Sequence, residues 1–102
     1  MAKKIKVSDI PEFDATEYMH NEEEVAAYLT AVLEENDAGL LAAAIGDIAR
    51  ARGMSEVARE SGIAREALYK ALRPGSAPRF ETIRRVCEAL GVRLVAQPLH
   101  SV

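Results

Sequence analysis

Within "AREALYKALRPGSAPR", residues 64–79, four polar side chains fall on one side of a helical pattern: Arg65, Glu66, Tyr69 and Lys70. Arg73 follows immediately and Arg79 lies across a turn-rich loop. A guanidinium pairs bidentately with guanine, lysine and arginine neutralise phosphates, and the major groove of DNA admits an α-helix. A basic helical face with one aromatic therefore has the chemistry of a DNA reader. An all-helical scaffold whose exposed charges only solvate it carries the same pattern, so the flanking elements must decide. Other chemistries have less to work with. The histidines are His20 and His100, the one cysteine is Cys87, and there is no HExxH, no phosphate-cradling glycine loop and no nucleophile elbow. Glu22, Glu23 and Glu24 are consecutive, so they point in different directions on a helix and lack the spacing of an EF-hand. They suit the first turn of a helix, where the dipole favours them. The expectation is a chain with no catalytic residue, no metal and no cofactor, and so not an enzyme.

The elements that must position the basic face follow from periodicity and caps. Asn21 with Glu24 three residues on starts a helix over residues 22–35, in which Val25, Tyr28, Leu29, Val32 and Leu33 form one face. A second helix begins at Asp37 and buries Leu40, Leu41, Ala44, Ile45, Ile48 and Ala49, its alanines allowing close packing, until Gly53 ends it. A short helix over 54–60 must then cross another over 65–72 at close range, which needs the small Ala58 on the first. Gly62, four residues later, supplies the left-handed backbone of the turn, as in a helix-turn-helix. Val57, Ile63, Leu68 and Leu72 point inward; Ala64 takes the N-cap of the second helix, and Ser55 joins Ala64 and the basic residues on the outer face. After "RPGSAP", residues 79–90 place Phe80, Ile83, Val86, Cys87 and Leu90 on one face, and Gly91 closes the helix. Cys87 reads as a small apolar core residue.

The ends are different in character. Lys4 to Val7 alternate as a short edge strand would before Pro11, and "VRLVAQPLHSV" allows one short strand before Pro98. A single strand needs a partner, either a second subunit or Lys4–Val7. The organisation expected is an acidic arm over 1–21, an all-α domain over 22–91 and a strand or tail over 92–102. At 102 residues, 49% hydrophobic and 28% charged, the chain suits one globular domain. No stretch approaches the roughly 18 apolar residues of a membrane span, and no targeting signal is evident, so a cytoplasmic protein with no membrane partner is expected. The net charge of −3 hides an asymmetry: residues 1–50 carry four basic and eleven acidic side chains, residues 51–102 nine basic and five acidic. The halves are expected to face different partners.

The order helix, helix, helix-turn-helix, loop, closing helix resembles the five-helix lambda-repressor-like, or Xre, DNA-binding domain. Residues 28–94, and especially "GDIARARGMS", "AREALYKAL", "PRFETI" and "ALGVRL", are similar to the addiction-module antidote proteins, HigA-like antitoxins of type II toxin-antitoxin systems. That resemblance implies a small homodimer that neutralises a RelE/ParE-like (HigB-like) toxin and represses their shared operon by binding operator DNA. Dimerisation also follows physically, because one reading helix covers few base pairs and a two-fold pair reads a palindrome. Such toxins are typically basic, so residues 9–35 of the acidic half are expected to form much of the toxin contact, with Asp9, Glu12, Asp14 and Glu17 steering and Phe13 and Tyr18 supplying apolar area, unless that pair folds back onto the five-helix core. One departure stands out: many relatives have serine where this chain has Ala64, so a side-chain cap is missing. A stand-alone Xre regulator shares every DNA-facing residue, and an interaction module that has lost DNA binding shares the fold.

Overall fold

The computed structural model describes residues 21–99. Within them lie five α-helices: α1 Glu22–Leu33, α2 Ala38–Arg52, α3 Met54–Ser61, α4 Arg65–Ala71 and α5 Phe80–Ala89. Asn21 caps α1 through Oδ1, which accepts from the Glu24 amide at 2.8 Å. Asp37 caps α2 in the same way, its Oδ1 accepting from the amides of Gly39 at 3.0 Å and Leu40 at 3.2 Å. Between the two helices the chain reverses at Asn36, whose φ of 56° is a left-handed value that asparagine tolerates better than most residues. That reversal is why α1 stops at Leu33 rather than continuing to residue 35.

One core joins all five helices. Val25, Leu29 and Val32 of α1, Ile45, Ile48 and Ala49 of α2, Val57 of α3, Leu68 of α4 and Ile83, Val86 and Cys87 of α5 are buried together with Leu72 and Leu90. Tyr28 sits among them, and burial, reinforced by the charge of Asp47, raises its phenol above the ordinary range. Burial likewise pushes the Cys87 thiol up to about 11, the behaviour of a core side chain.

Three expectations need correction. Leu33 lies at the last turn of α1 and stays 42% exposed, because the chain turns away before another element covers it. Phe80 falls on the apolar stripe of α5 by spacing, yet is 68% exposed. It is the first residue of the helix, and side chains lean toward the helix N-terminus, so it projects past the end of the core. Finally, residues 92–98 form no strand, and no strand occurs among the described residues. A strand is defined by its ladder, and none of the described elements offers one.

The placement of α4 depends on two glycines in α2. A β-carbon at Gly46 would lie 2.8 Å from the carbonyl oxygen of Leu72 and 3.4 Å from its Cβ, so the end of α4 rests directly on the α2 backbone. One at Gly39, two turns earlier, would lie 3.0 Å from Cα of Gly75 in the loop that follows α4. Inside a helix, glycine to alanine ordinarily gains about 1 kcal/mol. Here Gly46→Ala is expected to lose stability, because overpacking against backbone costs about 1–3 kcal/mol. Urea unfolding should show a lower midpoint with an unchanged slope. A raised midpoint would show that α4 is not seated on Gly46.

Candidate nucleic-acid interface

The exposed side chains of α4 are presented by the turn that precedes it. Gly62 has φ 75° and ψ 17°, in the left-handed region, and its amide donates to the carbonyl of Ala58 at 3.0 Å. Ala58 packs half-buried against the core. Ser61 is 8% exposed and completes the turn: its Oγ donates to the Ala58 carbonyl and accepts from the Ile63 amide, both at 3.3 Å. Sequence reasoning missed Ser61, although a serine directly before a turn glycine is a local signal for this hydrogen bond. Ala64 then occupies the N-cap of α4, with ψ 141°, and its carbonyl accepts from the Leu68 amide at 2.9 Å. It makes no side-chain cap. Leu68 and Leu72, fully buried, hold the inner side of α4 in the core.

Opposite them, Arg65, Glu66, Tyr69 and Lys70 are exposed, and the Arg65 guanidinium carbon lies 5.5 Å from the centre of the Tyr69 ring. This cation–π contact orders both side chains along the outer face. The following loop is pinned by Ser76, whose amide donates to the Arg73 carbonyl at 3.0 Å and whose Oγ donates to the Ala71 carbonyl at 2.5 Å. Arg73 and Arg79 are exposed at its two ends, and an open groove lined by Ala67, Lys70, Arg79 and Thr82 separates α4 from the loop. Ser55 is exposed near the start of α3. The α4 and loop residues named from the sequence thus share one surface region, while Ser55 belongs to the neighbouring helix.

What marks this region is how many unpaired cations it gathers. Among the other described cations, Arg50 pairs with Asp47 at 3.0 Å, Arg59 with Glu56 at 3.3 Å, Arg85 with Glu81 at 3.0 Å, and Arg84 with both Glu81 at 3.1 Å and Glu88 at 3.0 Å, whereas Arg52, which donates to the Leu90 carbonyl at 3.4 Å, and Arg93 stand singly without a carboxylate. Hydrogen bonds from Arg84 and Arg85 hold the Glu81 carboxyl below its usual range, so this network stays ionised. Among the described residues, Arg65, Lys70, Arg73 and Arg79 have no carboxylate within 4.0 Å. Four unpaired cations are therefore gathered around one short helix. The arrangement suits a polyanion, and the planar guanidinium of Arg65 suits bidentate hydrogen bonding.

The acidic-arm residues Asp9, Glu12, Phe13, Asp14, Glu17 and Tyr18, like His20 and His100, lie outside the described residues. Among those described, no three His, Cys, Asp or Glu side chains are grouped to hold a metal ion, and no helix is long and apolar enough to cross a membrane.

The described residues thus form five helices and no strand, with four unpaired cations gathered around α4. Residues 9–98 match the model of the family described as "probable addiction module antidote protein", and the chain belongs to that family. It is also similar to an uncharacterized protein of Haemophilus influenzae, with 44% identity over 88 residues, spanning 86% of this chain and 91% of that one. No solved structure matches.

The bare N-cap gives a direct test of the α4 boundary. Ala64→Ser restores a side-chain acceptor for the first-turn amides, and is expected to stabilise the protein by about 1 kcal/mol. Thermal melts followed by circular dichroism should show a higher Tm. An unchanged or lower Tm would displace the N-cap from Ala64.

Proposed function

We propose that the chain is the antidote of a type II toxin-antitoxin module, which represses its own operon through α4 and neutralises a RelE/ParE-like, HigB-like toxin through its acidic arm. In this reading α3 and α4 are the helix-turn-helix of a lambda-repressor-like, Xre-family domain, and α4 is the reading helix. The observation that carries it is the set of four unpaired cations, Arg65, Lys70, Arg73 and Arg79, gathered around α4, while Arg50, Arg59, Arg84 and Arg85 are paired within their own helices. Arg65 is the base reader, ordered by Tyr69; Lys70, Arg73 and Arg79 contact phosphates, and Glu66, Ser55 and Ala64 border the contact. The family supports the antidote role itself.

The toxin surface is separate. Asp9, Glu12, Asp14 and Glu17 lie in the half of the chain with four basic and eleven acidic side chains, which complements a basic toxin. Phe13 and Tyr18 supply the apolar anchors. With operator and toxin on different faces, one antidote holds both. The protein works as a cytoplasmic homodimer, without cofactor or catalysis, and two α4 helices read the two halves of a palindrome.

Two variants measured side by side test this division. Arg65→Ala is expected to weaken operator binding in fluorescence anisotropy by about 1–3 kcal/mol, as the loss of a bidentate base contact does, with toxin affinity unchanged. Removal of residues 1–20 is expected to abolish toxin binding in calorimetry and to spare the operator. Wild-type operator affinity in Arg65→Ala would remove α4 from the reading role. Undiminished toxin affinity in the truncated protein would move the toxin contact off the arm.

A further inference from the structure

Among the residues assigned to the DNA contact, Glu66 alone is acidic. It is exposed and, by helical spacing, lies with Lys70 on the side of α4 opposite the fully buried Leu68 and Leu72. Lys70 stands at the i,i+4 spacing where a glutamate ordinarily pairs with a lysine, yet no nitrogen of Lys70 comes within 4.0 Å of the carboxylate. The neighbouring Arg65 is turned over the Tyr69 ring instead, at 5.5 Å. Among the described residues no cation pairs with Glu66, so a free carboxylate stands within a group of four unpaired cations.

We propose that Glu66 reads cytosine in the major groove and so fixes a C in each operator half-site. This rests on α4 being the reading helix and names a base that it selects. An ionised carboxylate only accepts hydrogen bonds. Phosphates repel it, and so do the acceptor edges of guanine, N7 and O6, and of thymine, O4. The amino donors of the major groove are cytosine N4 and adenine N6. Adenine N6 lies between two acceptors, its own N7 and the O4 of the paired thymine, whereas cytosine N4 has an acceptor on one side only, the O6 of the paired guanine. Cytosine is therefore the edge that a carboxylate tolerates best.

The division of labour follows from charge. Arg65, Lys70, Arg73 and Arg79 supply the attraction that brings α4 to a duplex, and Glu66 penalises every base edge that cannot donate to it. Discrimination of this kind needs a carboxylate that is not already bonded within the protein. Glu66 also lies in the first turn of a helix with no side-chain cap, where its charge favours the helix dipole. That effect is the same for every DNA sequence, so a base-resolved measurement separates it from reading.

The test is selection from duplexes randomised over about 20 base pairs, room for two half-sites one helical turn apart, using the full chain as wild type, Glu66→Gln and Glu66→Ala. Sequencing gives the preference at each position, and fluorescence anisotropy on the selected duplexes gives the affinities. Because Glu66 is exposed, both variants should keep the wild-type circular dichroism spectrum. The wild type should select C at one position of each half-site and bind about tenfold more weakly when that pair is replaced. Glu66→Gln, whose amide pairs with adenine N6 and N7, should change the preference at that position alone from C to A. Glu66→Ala should lose the preference there and keep the others. Variants that bind all duplexes more tightly but retain the wild-type preference at every position would make Glu66 a solvated charge and overturn the assignment, leaving α4 as reader. A wild type that selects no sequence would overturn both the assignment and the reading role of α4.

Discussion

The absence of a side chain at Gly46 is the constraint on which the placement of the α4 face depends. It lets the Leu72 carbonyl approach α2 to a distance that a β-carbon would not allow, and at Gly39 a β-carbon would be tight, at 3.0 Å from Cα of Gly75 in the loop after α4. With its end laid on the α2 backbone, α4 buries Leu68 and Leu72 completely and has no choice about which face it turns outward. A helix of seven residues is far too short to be stable alone, so its orientation is a tertiary property. The Ser61 and Gly62 turn fixes its start, and the Ser76 turn fixes the loop beyond its end.

Electrostatics then acts on a surface whose geometry is already set. Exposed i,i+3 and i,i+4 ion pairs contribute little to stability, and those on α2, α3 and α5 are half-exposed or more. Their consequence lies in the field of the protein. By cancelling Arg50, Arg59, Arg84 and Arg85 they leave the cluster Arg65, Lys70, Arg73 and Arg79 as the main unpaired positive charge, which in the proposed function steers the operator toward α4. An acidic arm and a cationic helix within one small chain would attract each other if they met. In the proposed function, the separation of opposite signs onto different partners' surfaces is what lets one protein hold toxin and operator together.

Much of this was legible in the residues. Caps are local, so Asn21, Asp37 and Gly62 announced their elements, and the core stripes of α1, α2 and α5 followed from helical spacing. Spacing misled at helix ends, because periodicity does not reveal where the neighbouring elements stop: Leu33 and Phe80 are on the right stripe and in the wrong place along it. Gly39 and Gly46 escaped notice since their partners, Gly75 and Leu72, are distant in sequence. The residue types of the cationic face were readable, but which arginines are neutralised depends on side-chain geometry that composition does not encode. The segment after α5 had the alternation of a strand, and a single chain gave it no ladder among the described residues.

In the proposed function the unpaired cations at α4 carry operator binding while the paired ones do not, and the salt dependence of that binding separates the two. Log Kobs for the operator should fall linearly with log salt concentration, by about 0.9 for each phosphate neutralised on duplex DNA. Lys70→Ala should reduce that slope by about one. Arg84→Ala, which removes a cation bonded to Glu81 and Glu88, should leave it unchanged. A binding constant indifferent to salt, or a slope that Arg84→Ala lowers as much as Lys70→Ala does, would contradict the account.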